Sequence, residues 1–136
     1  MYVALGETDD WAHEGRYDLY LQSARRIDDY IRRLWLEMNA RPGARGRTTM
    51  IITTDHGRGD SLTGWKGHGK DLPGSDQIWA AALGPAVDRE TEISEKLIQA
   101  QIAATVANSV GHDFTKSREK IAAPLPFVRR LATSPP

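Results

Sequence analysis

Residues 48–59 read TTMIITTDHGRG. Thr48 to Thr54 is β-branched and nearly continuously apolar, the composition of a strand buried on both faces. Asp55 and His56 follow it directly, and Gly57 and Gly59 open the loop beyond. In open α/β sheets, sites form outside the carboxyl ends of the strands. A carboxylate and an imidazole sit at such an end here.

The neighbouring segments extend this pattern. Upstream, residues 17–39 place Tyr17, Tyr20, Leu21, Ala24, Ile27, Ile31, Leu34, Trp35 and Met38 in one stripe at helical spacing, with arginines and aspartates on the remaining face. This predicts a helix stopped between Asn39 and Gly46, a stretch that contains Pro42. Downstream, residues 57–74 are glycine-rich, carry Pro73 and read as loop. Gln77 to Leu83 (QIWAAAL) is a further buried run, closed by Gly84 and Pro85. Ile93, Leu97, Ile98, Ile102, Thr105 and Val106 mark a second helix that ends near Gly111.

Before all of these, Tyr2-Val3-Ala4-Leu5 reads as a buried strand that begins almost at the first residue. The order is strand, helix, strand, long loop, strand, helix. It predicts an α/β fold with a mainly parallel central sheet flanked by helices, and an incomplete one, since a central strand has nothing before it. The expected organisation is a domain over residues 1–114 and a proline-rich charged tail over 115–136 that packs loosely or wraps the surface.

The 136 residues carry 18 Lys+Arg and 18 Asp+Glu, a formal net charge of zero. That balance argues against nucleic-acid binding through bulk positive charge. No apolar run approaches the length of a membrane span. No basic-then-apolar leader opens the chain, and the compartment is not indicated. The absence of cysteine excludes disulfides, thiolate zinc sites and cysteine nucleophiles. Acid–base or metal chemistry therefore falls to Asp, Glu and four histidines.

Three of those histidines lie at expected strand ends: His13 in DDWAH (residues 9–13), His56 in DHG, and His68 in GHG. Imidazole nitrogen with carboxylate oxygen suits zinc or manganese, and calcium prefers all-oxygen ligation. Asp9 and His13 share a face if their segment turns helically. Asp55 and His56 point to opposite faces of a regular strand, so they share an ion only if the chain leaves extended geometry, which Gly57 permits. Each element also has a plainer role: a cap, a hydrogen-bonding pair, a surface imidazole or a loop residue. His112 follows Gly111 and suits the negative end of a helix dipole. Arg58 and Lys66 are either solvated loop charges or contacts to an anionic substrate. Glu7 and Asp10 are candidates for hydrogen bonds to the ligands. Trp65 and Trp79 read as packing residues.

In order, ETDDWAH, TTDHGRG, GWKGHG and PGSDQIWAAALGP resemble the C-terminal half of the alkaline phosphatase superfamily. The likeness is greatest to the nucleotide pyrophosphatase/phosphodiesterase and phosphoglycerate mutase type, with sulfatases more distant. The run LIQAQIAATVANSVG resembles the helix that follows the last core strand in these enzymes, and the resemblance spans about residues 2–111. It implies two divalent metal ions, zinc or manganese. Asp9, His13 and His68 match the ligands of one ion, and Asp55 and His56 those of the other. It also implies hydrolysis of a phosphate ester, or of a sulfate ester in the sulfatase branch, through a metal-activated Ser or Thr attacking in line. Many enzymes of the superfamily are exported.

The family's nucleophile and one further Asp ligand come from its N-terminal half. Thr53, Thr54, Ser61 and Thr63 do not align with that nucleophile, and only eight residues precede Asp9. The expectation is a C-terminal piece of a hydrolase domain that supplies most of the metal ligands and does not turn over alone. The alternative is a non-catalytic metal-binding or structural module that pairs with a partner supplying the missing half. A third reading is an α/β domain with a fortuitous histidine arrangement.

Overall fold

The structure is a computed structural model that describes residues 1–88, 92–113, 116 and 122–129. The chain divides into two compact units, Met1–Arg45 with Ile52–Ala80, and Gly46–Ile51 with Ala81–Pro136. No described helix is long and apolar enough to cross a membrane.

The first unit opens with two helices, α1 (Glu7–His13) and α2 (Tyr17–Ala40). Glu7, Asp9 and Asp10 occupy the first turn of α1, where carboxylates complement the positive end of the helix dipole. The helix ends in a Schellman cap. Gly15 N–H donates to Ala12 O at 2.9 Å and Arg16 N–H to Trp11 O at 2.9 Å. Gly15 sits at φ +69°, a conformation that only a residue without Cβ adopts readily. The cap reverses the chain so that α1 packs on α2, where Ala12 and Ser23 are fully buried.

Helix α2 matches the expected 17–39 span. Ile27, Ile31, Leu34, Trp35 and Met38 of the apolar stripe are half-buried, but nearer the start Ser23 is buried and Ala24 exposed. Ser23 is accommodated because its Oγ accepts a hydrogen bond from Arg26 at 2.9 Å. Arg41 is extended and precedes Pro42, which restricts it away from helix and ends α2. The exposed face carries ion pairs from Asp29 to Arg32 and Arg33, both at 2.6 Å. The Arg32 hydrogen bond holds the Asp29 carboxyl below its ordinary range.

The expected strand at 48–54 is β1 (Met50–Thr53), and the run 77–83 yields β2 (Ala80–Leu83). They form a two-stranded antiparallel sheet. A single ladder of this size neither builds nor excludes a parallel central sheet. Thr53 Oγ1 donates to Trp79 O at 2.8 Å and fastens one end of it. Trp79 is 56% exposed and does not pack as expected.

Tyr2 to Leu5 is not a strand. Residues 1–6 have no regular structure, and Tyr2 is 90% exposed. A strand satisfies its backbone by pairing, and no described strand lies beside this run.

In the second unit, helix α3 (Ala100–Ser109) begins later than Ile93. Gln101 Oε1 accepts the Ile98 N–H at 2.8 Å just ahead of the helix, whose N-cap Gln99 makes no side-chain capping bond. Its end agrees with the sequence reading: His112 N–H closes on Ala107 O at 2.9 Å, and His112 is exposed.

The tail segment 122–129 does not pack loosely. Leu125 and Val128 join Ala86 in a buried cluster, flanked by Ala82, Val87, Leu97 and Phe127. Val128 bridges to Val87, and Arg129 N–H donates to Ala86 O at 2.7 Å. The rest of the 115–136 tail, Lys116 apart, lies outside the described residues.

Thr105 ties α3 to this segment. It is buried, donates to Gln101 O at 2.7 Å, and accepts the Leu125 N–H at 2.7 Å. Thr105→Val strands that amide in an apolar setting. The expected loss is about 2 kcal/mol in urea unfolding, with Thr105→Ser retaining most of the stability.

Candidate metal centre

All the residues of the site lie in the first unit. Helix α1 sets Asp9 and His13 four residues apart on one face, with His13 Nε2 at 3.4 Å from Asp9 Oδ2. Beyond β1 the chain leaves extended geometry, as Asp55 and His56 require. His56 N–H folds back onto Asp55 Oδ1 at 3.1 Å. Gly57 N–H then donates to Ser75 O at 2.8 Å. A Cβ at Gly57 would collide with the backbone oxygens of Gly74 and Gln77, so this close approach needs glycine.

The loop 57–76 is laced to itself. Gly59 N–H donates to Gly67 O at 3.2 Å, Asp60 N–H to Pro73 O at 3.2 Å, and Gly69 N–H to Ser75 Oγ at 3.1 Å. These bonds bring His68 alongside His56, with ring centroids 3.7 Å apart and planes 17° from parallel. The His13 ring stands 5.1 Å from the His68 ring.

The imidazoles converge on one carboxylate. His56 Nε2 and His68 Nε2 lie 3.7 and 3.6 Å from Asp9 Oδ1, while His13 faces Oδ2. One ligand atom from each of Asp9, His56 and His68 falls within 4.8 Å of the others. In tetrahedral coordination, ligand atoms about 2.1 Å from zinc stand about 3.4 Å from one another. The two separations from Asp9 Oδ1, 3.7 Å to His56 Nε2 and 3.6 Å to His68 Nε2, are close to that spacing. His56 Nδ1 lies 2.9 Å from Gly57 O. A carbonyl only accepts, so Nδ1 is the donor of this bond and Nε2 is the ring nitrogen left to face Asp9. The donor set therefore fits a borderline ion such as zinc or manganese.

Asp55 is 86% exposed, and its Oδ2 lies 3.8 Å from His56 Nε2. His56 thus stands between two carboxylates, those of Asp9 and Asp55. An open cleft of about 560 Å³ runs from His56 and His68 along residues 69–76.

Arg58 is not a solvated loop charge. It is 15% exposed and its guanidinium pairs with Asp9 Oδ1. It also donates to Asp9 O at 3.3 Å and to Trp65 O at 3.4 Å. Lys66 is exposed and its side chain lies across Gly15, where an added Cβ would meet Nζ at 3.0 Å. It is not among the residues gathered on Asp9. Glu7 turns away from the cluster and pairs with Arg26 at 2.9 Å. That hydrogen bond holds its carboxyl below the ordinary value. Trp65 packs edge-on against Tyr17 and Tyr20, with centroids at 5.3 and 6.1 Å, as a packing residue does.

Two of the hydroxyls near the motifs are committed to backbone. Thr53 Oγ1 donates to Trp79 O, and Ser61 Oγ accepts the Gly64 N–H at 2.9 Å. The Arg58–Asp9 pair escaped the sequence reading because its partners are 49 positions apart and no spacing rule connects them. No protein-family model, curated protein or solved structure matches the chain.

Proposed function

We propose that the chain is part of a metal-dependent hydrolase of phosphate, or sulfate, esters. The observation that carries this reading is the convergence of three Nε2 atoms on the Asp9 carboxylate at 3.4 to 3.7 Å. Zinc or manganese is the ion class that imidazole and carboxylate together favour. Asp9, His13 and His68 would hold one ion. Asp55 and His56 would hold a second, and the position of His56 between the two carboxylates supports paired ions. Such ions, when bound, polarise ester oxygens and lower the pKa of coordinated water.

The chain's own residues have separate tasks in this reading. The three imidazoles and two carboxylates set the position of charge. The Gly57 carbonyl orients His56. Arg58 and Lys66 would take the anionic part of the ester. The adjoining cleft has a volume within the range of small-molecule sites.

A second reading is a non-catalytic metal-binding or structural module that pairs with a partner supplying the missing half. It is favoured by the engagement of Thr53 and Ser61 in backbone hydrogen bonds, which leaves both poorly suited to attack.

Titration with zinc and manganese, followed by assays on 4-nitrophenyl phosphate, its diester and its sulfate, tests both readings. Expected is saturable ion binding, weakened at least about tenfold by His68→Ala, with little turnover by this chain alone. Turnover that appears on adding a partner fragment supports the hydrolase. Ion binding and stable association with such a fragment, without turnover, support the module, and an inactive monomer that gains nothing from the fragment argues against it. Ion content unchanged by His13→Ala and His68→Ala removes both.

A further inference from the structure

Asp9 Oδ1 is contested. His68 Nε2 faces it at 3.6 Å, as suits a cation held by Asp9 and His68, and His56 Nε2 stands 3.7 Å from the same oxygen. The Arg58 guanidinium pairs with that same oxygen. A divalent ion taking Oδ1 meets a fixed positive charge in contact with its ligand atom, and the two cannot both have it at full strength. The arginine is better shielded than its partner, 15% against 35% exposed, so the repulsion is only partly screened by water.

We propose that Arg58 is an internal competitor at the cation site: a divalent ion displaces its guanidinium from Asp9 Oδ1, and the freed guanidinium takes the anionic group of the substrate. This rests on the metal reading given above. The remaining bonds of Arg58, to Asp9 O and Trp65 O, are to neutral carbonyls and do not depend on the carboxylate. The side chain therefore keeps a tether at the site when Oδ1 is taken. A guanidinium is suited to the second role, because its planar fork matches the oxygens of phosphate or sulfate.

Two linked consequences follow. Removing the guanidinium tightens ion binding. An anion that engages Arg58 draws it off Asp9 and also tightens ion binding, and the coupling between anion and ion is reciprocal.

The test is a zinc and manganese titration of the full chain, wild type against Arg58→Gln, with and without sodium sulfate at constant ionic strength. Arg58→Gln is expected to bind at least about tenfold tighter. Sulfate is expected to tighten binding severalfold in the wild type and to leave the variant unchanged. Arg58→Lys keeps the charge, loses the fork and protects the test against a folding failure of the Gln variant. It is expected to fall between the two, and millimolar guanidinium is expected to return Arg58→Gln toward wild-type affinity. Equal or weaker binding by both variants overturns the competition while leaving the metal site standing. No saturable binding by any form overturns both.

Discussion

Asp9→Asn is expected to weaken zinc or manganese binding by at least about a hundredfold, the largest effect of any single substitution at the site. The size follows from position. Three imidazole nitrogens face the Asp9 carboxylate, and Arg58 pairs with it. The amide keeps the shape and removes the charge, so the nitrogens stay in place with no anion to balance a dication. Asn also leaves the 15%-exposed Arg58 without a charged partner. A stability loss of about 2 kcal/mol is expected from that change alone. Isothermal titration reads the first effect and urea unfolding the second. An unchanged ion affinity in a folded Asp9→Asn protein would remove Asp9 from the site.

Gly57→Ala is the second large effect, and it acts through backbone. The added methyl meets the carbonyl oxygens of Gly74 and Gln77, neither of which swings aside as a side chain does. Relief requires the loop to move away from residue 57, which breaks the Gly57–Ser75 hydrogen bond and shifts His56. About 3 kcal/mol of destabilisation is expected, with weaker ion binding alongside it. Gly43→Ala is the control. Nothing lies within 4 Å of a Cβ at that position, and a change within about 0.5 kcal/mol is expected. Equal unfolding free energies for the two variants would contradict the close approach drawn at Gly57.

The sequence was most legible where one local rule sufficed. The apolar stripe at 17–39 yields α2 almost residue for residue, because helical spacing over many turns leaves little ambiguity. Asp9 and His13 come together through an i,i+4 relation inside α1. His56 and His68 were identified by residue type and glycine flanks, and the structure stacks them.

Legibility failed where partners were distant. Tyr2 to Leu5 has strand composition, but composition does not supply a neighbouring strand, and the run is exposed. The prolines after Thr115 suggest a tail that packs loosely or wraps the surface, and local pattern does not reveal that Leu125 and Val128 are buried in a core. Helix α3 starts at Ala100 and not at Ile93, a boundary that an apolar count passes over. The pairing of Arg58 with Asp9 is the costliest omission: glycine-flanked in a polar loop, Arg58 has the local character of a solvated charge, and only the folded loop carries it to Asp9.

The most direct test of the central claim is X-ray absorption at the zinc edge of the protein loaded with one equivalent of ion. The account expects a nitrogen/oxygen shell at about 2.0–2.1 Å containing at least two imidazoles, reduced by one in His68→Ala. A shell of water and carboxylate oxygens alone, identical in wild type and His68→Ala, would contradict it.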